Sequence, residues 1–199
     1  MSDAFNAMMR TVDGEPVPTP GVFTLDATHS HVAFSIRHMM IAKARGRFTD
    51  VQGTLTVAED VGQSTVEIVV DLASVDTRDE GRDNHLRSPD FFDVEQFPKM
   101  TFRSTGIHVV GGEKFRLDGE LDLHGVKGPL SLDVVYEGAA LDPWGNQRIG
   151  FSATGSINRE SHGLTWNAPL ETGGLMVGKD AKVEIEAELV RPLGGDAEG

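Results

Sequence analysis

The segment KFRLDGELDL, residues 114–123, alternates apolar and charged side chains almost without a break. On a pleated strand this puts Phe115, Leu117, Gly119, Leu121 and Leu123 on one face and Lys114, Arg116, Asp118, Glu120 and Asp122 on the other. Such a strand is half buried and belongs to an antiparallel sheet with one wet side. The same period sets Val66, Ile68, Val70 and Leu72 against Thr65, Glu67 and Asp71. It recurs with Val183, Ile185, Ala187 and Leu189 against Lys182, Glu184, Glu186 and Glu188. Further runs at 31–40, 46–57, 100–110, 129–137 and 148–157 bring the total to about eight strands. Gly111-Gly112 and Gly125 suit hairpin links between them.

Long strands that each carry one apolar face can hide it by closing on themselves, so the chain is expected to be all-β, an eight-stranded antiparallel up-and-down barrel. A two-sheet sandwich is the alternative, and alternation alone does not separate the two. Two stretches break the period. In 77–95, Thr77 stands three before Glu80 as in a capping box, and Ser88-Pro89 resembles an N-cap followed by N1. Two short helices are predicted there, between the third and fourth strands. Residues 158–180 read as a long ordered loop between the last two strands, and both stretches could cover a barrel end. Residues 1–20, with Pro16, Pro18 and Pro20, are expected to form an extended arm, 21–191 the barrel, and 192–199 a flexible tail.

The formal charge of -13 repels phosphate backbones and argues against a nucleic-acid partner. With no cysteine, the chain has no disulfide, thiol nucleophile or cysteine-ligated metal. No apolar run reaches the ~18 residues of a membrane helix, and the N-terminus lacks the apolar core of a secretory signal, so a cytoplasmic location is expected.

Residues 26–40, DATHSHVAFSIRHMM, hold three histidines. On a strand His29 and His31 share a face, while His38 lies opposite with Val32, Phe34 and Ile36. A His-x-His pair is a metal-ligand geometry, but a catalytic zinc needs a third protein ligand, for which His124 is the candidate. A metal-dependent hydrolase using His29 and His31 is therefore one reading, and solvent-facing or turn-bonding histidines the blander one. Ser30 has no nucleophile elbow around it, and no phosphate-binding glycine fingerprint follows a strand. Arg37, Lys43, Arg45 and Arg47 form a basic patch uninterrupted by acid in a chain with 31 acidic residues. It is either an ordinary solvated hairpin or a seat for an anionic head group or an acidic membrane surface. Phe34, Ile36, Phe48, Phe102, Leu132, Tyr136 and Phe151, with Met39, Met40 and Met100, supply inward bulk. An eight-stranded barrel can be filled by such residues or hold one small ligand.

Asp26-x-x-His29-Ser30, Phe34, Arg37-His38, Gly46-x-Phe48 and Gly53-x-Leu55 together resemble the opening of the YceI family of lipocalin-like, polyisoprenoid-binding proteins. HLRSPDFFDVEQFPKMTFRS (85–104), GELDLHGVKGPLSL (119–132) and INRESHGLTW (157–166) resemble its later segments in the same order, so the match covers 22–190. The resemblance implies a lipocalin-like barrel around an apolar tunnel for an isoprenoid chain, with no enzymatic reaction and no cofactor. It implies that Phe34, Ile36, His38, Phe48, Phe91, Phe92, Phe102, Phe151, Leu164 and Trp166 line the tunnel or its mouth, and the basic patch of Arg37, Lys43, Arg45 and Arg47 is then expected near the head group. The expected partner is an isoprenoid or other long-chain lipid, with transient contact to a membrane surface and homodimerisation by analogy. A stress-related scaffold module without ligand is the remaining alternative.

Overall fold

The computed structural model describes residues 8–12, 14–171 and 173–192. β1 (Met9–Val12) and β2 (Glu15–Pro18) pair with each other, ahead of the main sheet. β3 (Gly21–Leu25) leads into β4 (His31–His38), and the chain returns through β5 (Ala42–Phe48) and β6 (Val51–Val57). Because β3 pairs with β6 and β4 with β5, these four form one long hairpin, interrupted once on each arm. β7 (Thr65–Asp71) passes through a 3-10 turn into β8 (Val75–Asp76). After α1 (Glu80–Arg87) come the long strands β9 (Lys99–Gly111), β10 (Lys114–Leu123), β11 (Val126–Leu141), β12 (Asn146–Asn158) and β13 (Val177–Pro192).

β13 closes the ring: one edge pairs with β12 along its length, and the other pairs with β4 and then with β3. Three interrupted staves (β3/β4, β5/β6, β7/β8) and five continuous ones make an eight-stranded antiparallel barrel with sequential neighbours throughout. The sandwich alternative is excluded, since β13 joins the last stave to the first within a single sheet, where a sandwich would have two separate sheets.

The predicted alternation sets which residues face inward. Leu117, Leu121 and Leu123 are buried on β10 while Glu120 is exposed. Gly119 falls on the inward face because the Phe102 ring of the neighbouring strand lies over it, where a Cβ would collide. Gly46 gives way to Phe34 in the same manner.

Four expectations are corrected. The first stave begins at Gly21, not at 31, and β4 ends at His38, because Met39 and Met40 turn with φ of 50° and 62°. Their side chains, expected inside, stand 39% and 65% exposed at the hairpin tip. One α-helix forms where two were predicted. Its N-cap is Asp79, which accepts from the Arg82 amide at 2.9 Å, while Thr77 donates its amide and hydroxyl to the buried Asp83 carboxylate. Ser88 caps the C-terminus of α1, with its hydroxyl donating to His85 O at 2.7 Å, and the left-handed Asp93 (φ 47°) keeps the following turns from winding into a second helix.

The fourth correction concerns the arm, whose described part is the β1–β2 hairpin and not a free extended segment; residues 1–7 lie outside the described residues, as does the tail from 193 on. Met8 and Val17 are buried, and the hairpin shuts the lower barrel end. Gln147 Nε2 donates to Met8 O (2.9 Å), Arg191 Nη1 to Pro20 O (2.5 Å), and the Tyr136 hydroxyl to Met9 Sδ (3.2 Å). Burial, with a smaller push from Glu113, raises the Tyr136 phenol to about 12. A phenol raised in the folded state contributes stability that is complete below the unfolded value near 10 and is lost as pH climbs through the folded one. Tyr136 is the chain's single tyrosine. Alkaline titration at 295 nm is expected to show phenolate near pH 12 in the native protein and near pH 10 after denaturation in urea. A native transition at pH 10 would mean that the hairpin does not seal this end.

Candidate ligand-binding cavity

The closed barrel is not filled. A cavity of about 400 Å³ runs from Val17 and Pro18 at the lower end to Trp166 and Met176 at the upper end. Its size falls within the ~300–1,000 Å³ typical of small-molecule sites. The inward residues of every stave contribute, including Leu25, Leu55, Ile68, Leu117, Leu132, Ala153 and Ile185.

The structure brings all ten expected tunnel residues to this cavity: Phe34, Ile36, His38, Phe48, Phe91, Phe92, Phe102, Phe151, Leu164 and Trp166. Phe34, Phe48 and Phe92 stack in series, with centroids 5.6 and 5.8 Å apart. At the upper end Phe91 and Trp166 sit 5.1 Å apart, and both meet the His85 ring edge-on. His85 is anchored to Asp90 at 2.9 Å. The four expected head-group cations divide. Arg37 and Arg45 reach the cavity rim, while Arg47 is tied to Asp76 at 3.1 Å and, like Lys43, lies off the lining.

Polar residues that the sequence reading did not assign also line the cavity: Arg82, His85 and Arg159. Arg159 is 4% exposed. Asn158 caps the 3-10 turn that carries it (Arg159–His162), and Gly163 ends that turn with φ 79°. The guanidinium donates to the carbonyls of Gly178 (2.8 Å), Leu164 (2.5 Å) and Trp166 (2.9 Å), pinning the loop at both its ends. It forms no ion pair among the described residues. Burial lowers its affinity for the proton, with Glu160 acting weakly the other way. The signal for Arg159 was its place in INRESHGLTW, a motif that does not say which way the side chain points. Among the described residues, no Asp or Glu lines the cavity.

His29 and His31 do not form a site together. His31 is exposed on β4, whereas His29 Nδ1 lies 3.0 Å from Asp26 Oδ2 and 3.9 Å from Glu188. Asp26, His29 and Glu188 could bring three ligand atoms together, without His31 or His124. Arg148 already occupies the space between the two carboxylates, donating to Asp26 Oδ2 at 2.7 Å and to Glu188 Oε1. Hydrogen bonds from Thr28, Arg148 and His29 hold Asp26 well below the usual carboxylate range. At Asp142, burial pulls upward but is outweighed by donors from Asn146, Arg148 and Trp144, leaving it at about 2. This network ties the break between β3 and β4 to β12 and β13. Ser30 completes it, its hydroxyl accepting from the Glu188 amide at 2.9 Å. His124 belongs to the β10–β11 turn (φ 57°), stacked on Phe97 at 4.5 Å.

A YceI-like domain model matches residues 23–189, which is nearly the whole barrel. The chain belongs to the YceI-like domain family. A UPF0312 protein of Staphylococcus aureus (strain N315) is 38% identical over 171 residues, covering 84% of this chain and 96% of that one. Among solved structures, the Campylobacter jejuni YceI protein is 28% identical with a TM-score of 0.67, over 79% of this YceI-like chain and 91% of its own. A polyisoprenoid binding domain from Saccharophagus degradans shares the fold at 21% identity, with a TM-score of 0.62 over 85% of this chain and 98% of its own.

Proposed function

We propose that this YceI-like protein is a non-enzymatic carrier or store that holds one isoprenoid lipid, of the polyprenyl phosphate or isoprenoid quinone class, inside the barrel. The observation that carries this reading is the apolar cavity running the length of the barrel with no carboxylate in its lining. Apolar walls suit a hydrocarbon chain, since each buried CH₂ is worth ~0.8 kcal/mol. Burying about ten carbons gives ~8 kcal/mol gross, equivalent to micromolar affinity before association is subtracted. The polar lining at the upper end, His38, Arg82, His85 and Arg159, with Arg37 and Arg45 at the rim, favours a head group rich in acceptor oxygens. The Saccharophagus degradans neighbour, described as a polyisoprenoid binding domain, supports the same use of the shared barrel.

Native mass spectrometry of the purified protein, followed by organic extraction, tests this. The expected result is a 1:1 complex whose added mass matches a prenyl lipid recovered in the extract. A protein that stays lipid-free when offered prenyl phosphates and prenyl quinones at micromolar concentration overturns it.

A further inference from the structure

At the upper end of the barrel the β4–β5 hairpin ends in Met39, Met40 and Ile41. These are 39%, 65% and 83% exposed, and Leu175 of the adjacent loop adds a fourth apolar side chain at 41%. Met40 leans toward that loop at Gly174, and the Met39 amide donates to Met176 O at 2.7 Å, so hairpin and loop share one rim of the cavity. The turn is a poor choice on backbone grounds. Both methionines adopt left-handed φ, which Asn and Gly tolerate much better, so the apolar tip runs against local preference.

Cations ring this tip. From Ile36 to Phe48 the chain contains no acid, and Arg37 and Lys43 face each other across the hairpin with Arg45 one step below. Lys182 joins Arg45 on the outer face through their shared neighbour Ser35. Arg37, Lys43 and Arg45 form no ion pair among the described residues, although Asp180 and Glu171 are the acids of the adjoining segments. On β13 the outward residues run Asp180, Lys182 and Glu184, so the collar is cationic on the hairpin itself and meets its first acid at Asp180. A protein of net charge -13 thus presents an apolar point within a cationic collar at the mouth of its cavity. Apolar side chains that enter the acyl boundary beside cations that meet acidic head groups are the chemistry of attachment to an anionic bilayer.

We propose that the β4–β5 tip docks on anionic lipid bilayers, with Met40 and Ile41 entering the interface and Arg37, Lys43 and Arg45 contacting acidic head groups. Docking there would put the cavity mouth against the source of the lipid, and this part rests on the carrier reading above.

The test is flotation of the full chain with vesicles free of isoprenoids, made of phosphatidylcholine alone or with phosphatidylglycerol. Binding is expected on the anionic vesicles only, weakening as salt is raised. Lys43→Gln with Arg45→Gln removes two cations and is expected to reduce partitioning about 25-fold, at roughly fivefold per charge. Met40→Asp with Ile41→Asp is expected to abolish it, with unchanged melting because both side chains are solvated. Equal binding to neutral vesicles, or anionic binding that neither pair of substitutions alters, overturns the proposal. So does a tip whose substitution changes the sedimentation coefficient but not flotation, since the tip would then be a contact between copies of the chain. Isoprenoid loading from detergent, followed by native mass spectrometry, is scored separately. Vesicle binding without loading would overturn the carrier reading and leave the docking surface standing.

Discussion

Ala153→Trp is expected to leave a folded barrel that has lost its lipid. Ala153 is an inward residue of β12, paired with Val134 and Ile185 on the flanking strands, and its methyl lines the cavity. An indole built there projects into the 400 Å³ space, so the overpacking cost falls at the low end of the usual ~1–3 kcal/mol. For the ligand the consequence is larger. A chain denied about five of its buried carbons loses ~4 kcal/mol, close to a thousandfold in affinity. Native mass spectrometry should show the ligand-free mass alone, while circular dichroism and the Tyr136 titration stay those of the parent. Retention of lipid at parental stoichiometry in a protein with native circular dichroism would mean that the hydrocarbon lies elsewhere.

The second large effect is expected at Arg159, through stability and through the mouth together. Arg159→Met keeps most of the side-chain volume but strips the donors from three carbonyls, those of Gly178, Leu164 and Trp166. Leaving buried acceptors unsatisfied costs about 1–3 kcal/mol each, and removing a buried cation with no counterion gives part of this back. A net loss of ~3 kcal/mol is expected, read as a lower urea midpoint. The released loop also carries Trp166, packed on Phe91 and His85. Emission should therefore shift to the red, with the already exposed Trp144 as a constant background. Lipid should exchange faster from this variant than from the parent. A urea midpoint within experimental error of the parent would show that the loop holds its place without the guanidinium.

The barrel was legible because period-two alternation is written locally, residue by residue, and each stave of Leu, Val and Phe carries its own in-and-out code. The ten cavity residues follow from that code plus the family resemblance. What was not legible depends on partners far away in the chain. The break at 26–30 is held by Arg148 and Glu188, more than a hundred residues on, and nothing in DATHS alone shows that its aspartate is already spoken for. Thr77 and Ser88 misled for the opposite reason. Their local patterns fit helix starts, but Asp79 offered the better cap and Asp83 engaged Thr77 in the interior. The inward turn of Arg159 depends on the path of a loop with no period to read.

The hairpin that forms the tip also leaves a strand edge open. β5 meets β8 only at Arg47 and Phe48, so its segment from Ala42 to Gly46 presents backbone donors and acceptors beyond the ladder with β4. An unpaired edge is a template on which another chain can add strand to strand. Lys43 and Arg45 stand on that edge, and two copies approaching in register would bring like charges together. The same two residues are therefore expected to disfavour edge-to-edge sheet growth. Neutralising them should raise its tendency to aggregate on storage even where its fold is untouched.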